Sequence, residues 1–244
     1  MTIELEKLKA HGEHLLDGFL GLRERYAMLE PMLFNRFVIE AKGQGAMGRG
    51  FLAIKNNLFL FCCQDIAKLS LDKYETSPSI KRIVEKLQDD KLLATLEEEF
   101  SVWYVDPPVE EKDPMVLELL KRMDEKERLE RRVNFKEMVN SLNENWRALE
   151  NKPALGSFKK IRNKVSAHLD VNLANGKFQP LDIGSLSVKW KDVGETIAEM
   201  QVIIEQIGLI VRGASFAWDS LDKNLQNAAK GFWEAGQQSG SSSN

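Results

Sequence analysis

The sequence predicts an all-α fold. Apolar residues recur at three- and four-residue spacing through most of the chain, and capping residues or prolines stand where those stretches begin. Strand-like character is confined to short pieces near residues 102–105 and 171–187. Ile3, Leu8, Leu15, Phe19, Leu22 and Tyr26 form a first helical stripe, running to a break near Pro31, whose missing amide N–H interrupts a helix. Phe51, Ile54, Leu58, Phe61, Cys62, Ile66 and Leu69 mark a second, long and buried helix ending at Ser70. Ser77 is placed to cap a third helix with Pro78 in its first position, carrying Ile80, Ile83, Val84 and Leu87. A fourth helix follows from Leu92 to Phe100, then a short extended piece, Val102 to Val105, and a turn at Asp106-Pro107-Pro108.

From Met115 to about Glu150 the pattern is that of one long helix. Its middle, Lys121 to Arg132, holds six basic and four acidic residues, which reads as a solvated face joined by i,i+4 pairs. Pro153 opens a further helix that closes near Asp170, and residues 171–187 read as a loop with one or two short strands. The last helix starts around Asp192 and passes through Ile197, Met200, Ile204, Ile207 and Val211 towards Trp218, with a second piece reaching Trp233. No internal repeat is present. Residues 1–235 are expected to form one helical domain, and the tail, 236–244, has nothing to bury and is expected to be disordered.

Composition narrows the function classes. A formal charge of −3 over 244 residues argues against a protein that coats nucleic acid indiscriminately, so any such contact must come from a local basic patch. The only two cysteines, adjacent at Cys62-Cys63 in an apolar run, make neither a disulfide framework nor a zinc site and are expected to fill core. The N-terminus lacks the basic start and apolar stretch of a signal peptide, and no run approaches the ~18 apolar residues needed to span a bilayer. The expectation is a cytoplasmic, reduced protein without a membrane partner.

Gly43, Gly45 and Gly48 match G-x-G-x-x-G, with Gly50 following. A dinucleotide fingerprint needs a strand before the glycines and a second parallel strand after the next helix. Residues 36–41 could be extended, but only helices follow residue 51, so the stretch reads as a connection or a helix start. Lys42 and Arg49 stay in reserve as phosphate contacts at that helix N-terminus. His11 and His14 share one helix face, but Glu13 and Asp17 beside them do not complete a metal set, so surface histidines and no metal are expected.

The segment Ile161 to Asp170 carries the chemistry. At 100° per residue, Leu155, Phe158, Ile161, Val165 and Leu169 form an apolar stripe, with Arg162 about 40° from Phe158 on one side and His168 about 80° away on the other. Both flank the buried face. Six residues separate them, about 9 Å along a helix axis, so one straight helix does not bring them together. Asn163 points largely away from the stripe. Lys152, Lys159, Lys160, Arg162 and Lys164 give five positive charges between Asn151 and His168 with no acid among them, enough to guide a phosphate backbone. Two readings stay open from the residues alone. Arg162 and His168 are phosphodiester chemistry, or Arg162 binds a carboxylate on a neighbouring helix and His168 satisfies a carbonyl.

The string Arg162-Asn163-Lys164-x-x-Ala167-His168, followed by Leu169-Asp170 late in a helical chain, resembles the Arg-polar-x4-His signature of the HEPN superfamily, in the abortive-infection U branch found in bacterial anti-phage proteins. Leu60 to Leu71 and the exit through Thr76-Ser77-Pro78-Ser79-Ile80 resemble that branch's earlier core helix, while the glycines at 43–50 depart from it. The resemblance implies a HEPN-like helical bundle with additional helices that dimerises and cuts RNA without a metal or other cofactor. It implies Arg162, Asn163 and His168 as catalytic residues and suits Lys159, Lys160 and Lys164 to RNA binding. A two-fold axis would bring one protomer's His168 near its partner's Arg162. The expected function is an endoribonuclease of phage defence, or the toxin of a toxin–antitoxin pair with an antitoxin or defence-system partner. The alternative is a non-catalytic helical dimerisation or binding module.

Overall fold

A computed structural model describes residues 3–102, 113–163, 171–174, 177–180 and 188–235, the hairpin residues 171–180 by backbone alone. The described helices are α1 (Ile3–Phe34), α2 (Arg36–Lys42), α3 (Gly45–Leu71), α4 (Ile80–Lys86), α5 (Asp90–Ser101), α6 (Pro114–Glu150), α7 (Pro153–Ile161), α8 (Trp190–Ile207) and α9 (Trp218–Glu234). Strands β1 (Val171–Ala174) and β2 (Lys177–Pro180) pair antiparallel, with Val171 opposite Pro180. The fold is all-α, with one small hairpin among the described residues that falls inside the stretch expected to hold short strands.

Six helices supply most of the core, and Leu96 of α5 joins them. Leu15, Phe19 and Leu22 of α1 meet Cys62, Cys63 and Ile66 of α3, Ile80 and Ile83 of α4, Phe135 and Leu142 of α6, Phe158 and Ile161 of α7, and Met200 and Ile203 of α8. α1 lies along α3, α8 and α9, α7 packs on α3, and α6 packs on α5 and α8. A smaller cluster of Met32, Val38, Phe51, Ala229 and Trp233 ties α2 and the end of α9 to this frame, and the Trp233 indole N–H donates to the Met28 carbonyl at 3.1 Å. Burial of these side chains from water, worth about 1.5–3 kcal/mol for each large one, holds the frame together.

The long α6 is one helix as expected, and its charged middle is joined by the i,i+4 pairs Arg122–Glu118, Arg128–Asp124 and Lys126–Glu130. Its buried residues begin only at Phe135, so the N-terminal half carries Met115, Leu119, Met123 and Leu129 exposed. Of the extended piece and turn expected at residues 102–108, only Val102 is described, with an extended backbone; the rest, and the tail 236–244, lie outside the described residues.

Three boundaries differ from the expectation, each for a local reason. α1 continues a full turn past Pro31 to Phe34, because a proline near the end of a helix forfeits a single hydrogen bond. Residues 36–42 are helical rather than extended: the Asn35 side chain caps the N–H groups of Phe37 and Val38, and Arg36 pairs with Glu40 at 2.6 Å. The Gly-x-Gly-x-x-Gly stretch therefore follows a helix, not a strand, and the dinucleotide reading fails on its own terms. There Gly45 takes φ +62°, and a Cβ on Gly48 would lie 2.6 Å from the Gly43 carbonyl oxygen, so the glycines serve a tight junction between α2 and α3. Finally, α4 is capped by Ser79, not Ser77: the Ser79 hydroxyl accepts from the Arg82 N–H at 3.2 Å and donates to the Asp72 carbonyl at 2.6 Å.

After α8 the helix widens into a π-helical turn, Gly208–Arg212, closed by Gly213 at φ +65°. Trp218 then opens α9, its indole N–H donating to Glu205 at 2.7 Å while its ring meets Phe19 edge-on. Among the described residues no helix is long and apolar enough to cross a membrane.

Candidate functional site

Pro153 at the first helical position starts α7, and Leu155, Phe158 and Ile161 are buried as the stripe requires. The α-helical ladder ends at Ile161, earlier than Asp170. Arg162 is the capping residue, its N–H reaching the carbonyls of Phe158 and Lys159, and residues 162–163 follow a wider π-type turn. Angular bookkeeping at 100° per residue holds only to Ile161. Lys164, Val165, His168 and Leu169 lie outside the described residues.

Arg162 sits where the sequence places it, beside the buried face, with a side chain 28% exposed. Its Nη1 forms an ion pair with Asp72, the residue just past the end of α3, whose side chain is 12% exposed. Its Nε donates to the Asn163 Oδ1 at 3.2 Å, so the two signature residues are brought into contact. Asn163 is itself exposed, and its amide oxygen helps hold the guanidinium plane.

Asp72 escaped sequence reasoning. It occupies no stripe and caps nothing with its side chain; only the docking of the ends of α3 and α7 makes it Arg162's partner. Its own backbone is fixed on both sides, by its N–H on the Lys68 carbonyl and by the Ser79 hydroxyl on its carbonyl.

The five-cation cluster is less uniform than the sequence implies. Lys152 is paired with Glu199 of α8, and Arg162 with Asp72. Lys159 and Lys160 are exposed and meet no carboxylate among the described residues, which leaves them as uncompensated positive charge on α7. Lys73, exposed beside Asp72, adds a third such cation at the Arg162 end.

Elsewhere the remaining candidates resolve into structure. Cys62 and Cys63 are fully buried, and burial pushes the Cys62 thiol up to about 12. His14 is exposed, 3.9 Å from Asp17, whereas His11 is half-buried rather than a surface residue. Its imidazole is held below the usual range by burial and then by the Lys7 and Arg82 cations. Among the described residues no three His, Cys, Asp or Glu side chains gather as a metal set. A cleft of about 350 Å³ between α1, α8 and α9 is lined by polar and apolar groups alike, and its Arg23 is already bonded to Gln201 and Asp222. Lys42 and Arg49 flank a helix start that has no side-chain cap, with no further feature that selects a ligand.

No curated protein and no solved structure gives a match to this chain. A protein-family comparison does: the AbiU2 family of HEPN domains matches residues 5–232, which takes in every described helix but the ends of α1 and α9 and includes the Arg162-to-His168 segment. With a match over nearly its whole length, the chain belongs to the AbiU2 family of HEPN domains.

Proposed function

We propose that this chain is a metal-independent endoribonuclease acting in phage defence or as the toxin of a toxin–antitoxin pair, working in the cytoplasm as a homodimer. The observation that carries the reading is the fixed guanidinium of Arg162. Asp72 and Asn163 aim it from the end of α7, beside the unpaired Lys159 and Lys160, within a chain of the HEPN type.

In this reading the ribose 2′-oxygen attacks the neighbouring phosphorus and the 5′-oxygen leaves, giving a 2′,3′-cyclic phosphate and a 5′-hydroxyl. His168 takes the proton from the 2′-OH or returns one to the leaving oxygen, a role worth typically 10²–10⁴-fold. Arg162 stabilises the charge growing on the phosphoryl oxygens through a planar fork that Lys imitates poorly. Asn163 positions Arg162 rather than meeting the substrate. Lys159, Lys160 and Lys164 draw in the phosphate backbone, and the need for a 2′-OH selects RNA over DNA. In this reading a second protomer, related by a two-fold axis, supplies the His168 that works with this Arg162.

Incubation of purified protein with total RNA and EDTA tests this. Wild type should yield 5′-hydroxyl ends, and His168→Ala, Arg162→Ala and Arg162→Lys should each abolish cleavage without changing helicity. Cleavage that survives both alanine changes removes the site assignment. The Arg162–Asp72 pair also favours a second reading, a helical assembly module in which Arg162 is only an anchor. That reading expects no cleavage at any pH, and loss of the dimer when Arg162 is removed.

A further inference from the structure

The loop between α3 and α4, Asp72 to Ser79, is short, polar and unusually well tied for an exposed connection. The Ser79 hydroxyl donates to the Asp72 carbonyl at 2.6 Å, closing the loop across its own neck. The Ser77 N–H donates to the Tyr74 carbonyl at 2.9 Å, making a turn within it. Glu75 pairs with Lys7 of α1 at 2.9 Å, pinning the turn to the frame. This scaffold presents Tyr74 to solvent with 75% of its surface exposed. A single exposed apolar residue is ordinary. A phenol ring held out by a loop stapled at three points, whose first residue is the ion-pair partner of Arg162, is a different case.

The geometry points to Tyr74 as a stacking platform for an unpaired base of the RNA substrate, next to the phosphate that Arg162 engages. The inference rests on the ribonuclease reading above and names its substrate class as single-stranded RNA. Two residues of chain cover at most about 7 Å, so the Tyr74 backbone lies within that distance of Asp72, whose carboxylate touches Arg162. A base on the ring and a phosphate on the guanidinium thus belong to one short stretch of the same strand. Lys73, between the two and free of a carboxylate partner among the described residues, supplies charge for the backbone that connects them. Every base has a π-face, so stacking of this kind is tolerant of sequence, but it demands a base released from a duplex. The loop's fixed shape matters because a platform ordered before binding loses little freedom on binding.

The test uses the full chain in the His168→Ala background, so that RNA stays intact, with Tyr74→Ala and Tyr74→Trp added. Fluorescence anisotropy reads binding of a labelled single-stranded oligoribonucleotide and of a duplex of the same sequence. A 2-aminopurine base in the single strand reports stacking directly. Tyr74→Ala should weaken single-strand binding roughly 5- to 100-fold and lose the 2-aminopurine quenching, with duplex binding and the melting transition unchanged. Tyr74→Trp should restore both. In the His168-containing protein the loss should fall on KM rather than kcat.

Equal affinity of the Tyr74→Ala and parent proteins for the single strand overturns the platform, whatever the cleavage assay shows. Cleavage in EDTA with an unchanged KM for Tyr74→Ala overturns the platform and leaves the ribonuclease reading standing. Tyr74-dependent binding without any cleavage does the reverse.

Discussion

Removing the Asp72 carboxylate separates the two roles open to Arg162. The pair is neither buried nor on the surface, with side-chain exposures of 28% for Arg162 and 12% for Asp72. A fully buried pair broken on one side costs about 3–5 kcal/mol, and a charged hydrogen bond about 1.5–3. Since more than a quarter of the Arg162 side chain already meets water and its guanidinium can rehydrate further, Asp72→Ala should cost about 1.5–2 kcal/mol. For a chain of this size each kcal/mol moves Tm by about 2–4 °C, giving a drop of roughly 3–8 °C by calorimetry. Arg162→Ala should cost a similar amount, and the double variant less than the two together, with a coupling of about 1–2 kcal/mol. High salt should leave the difference largely intact, because screening is weak for a pair this sheltered. Asp72→Asn keeps the shape and an acceptor for Arg162, so it should melt closer to wild type. It should still lower RNA cleavage by roughly 10- to 100-fold, since a reacting guanidinium misplaced by an ångström is costly. A Tm for Asp72→Ala within a degree of wild type refutes the anchoring; full cleavage by Asp72→Asn refutes the claim that Asp72 positions a catalytic arginine.

Phe158, fully buried where α7 meets the core, should cost about 3–5 kcal/mol as alanine and lower Tm by roughly 6–20 °C in a thermal melt. Two glycines of α3 should respond with opposite signs. Gly48→Ala drives a Cβ to 2.6 Å from the Gly43 carbonyl oxygen and should destabilise, while Gly50→Ala meets nothing within 4 Å and should stabilise by about 0.4–1 kcal/mol, both read from denaturant midpoints. Cys62, its thiol pushed up to about 12 by burial, and Cys63 beside it should resist a thiol reagent at pH 8 in the native protein and label fully in denaturant.

What was legible in the sequence is what periodicity encodes. α1, α3, α6 and α8 each bury a stripe long enough to be read directly, and Leu155, Phe158 and Ile161 are buried as their spacing requires. α2 was not legible, since seven residues are too few to show a period; a cap at Asn35 and one ion pair decide it. Ser77 and Ser79 are both good capping residues before a helix, and the choice between them is made by the Asp72 carbonyl, a contact closed across the loop. The site divides the same way. Arg162 and Asn163 belong to a short local string, and their mutual contact follows from adjacency. Asp72 is 90 residues earlier in the chain and meets Arg162 only because the ends of α3 and α7 dock together. Polar partners of that kind leave no periodic trace.

The anchoring and the catalytic readings of Arg162 need not compete. A guanidinium carries five N–H donors. The pair with Asp72 engages Nη1 and the bond to Asn163 engages Nε, which leaves the Nη2 edge without a partner among the described residues. An arginine tethered in this way has already lost the rotamer freedom that binding a phosphate would otherwise cost, so its free edge is the better prepared to meet one. The tether also subtracts charge: Asp72 cancels much of Arg162's long-range attraction. In the proposed reaction, steering of a polyanion to this end of α7 would then fall to Lys159 and Lys160, while close-range stabilisation would stay with Arg162. Neutralising the two lysines should therefore slow capture and flatten its salt dependence. Replacing Arg162 should instead strike the chemical step, and the separation of those two effects is what a site built in this order demands.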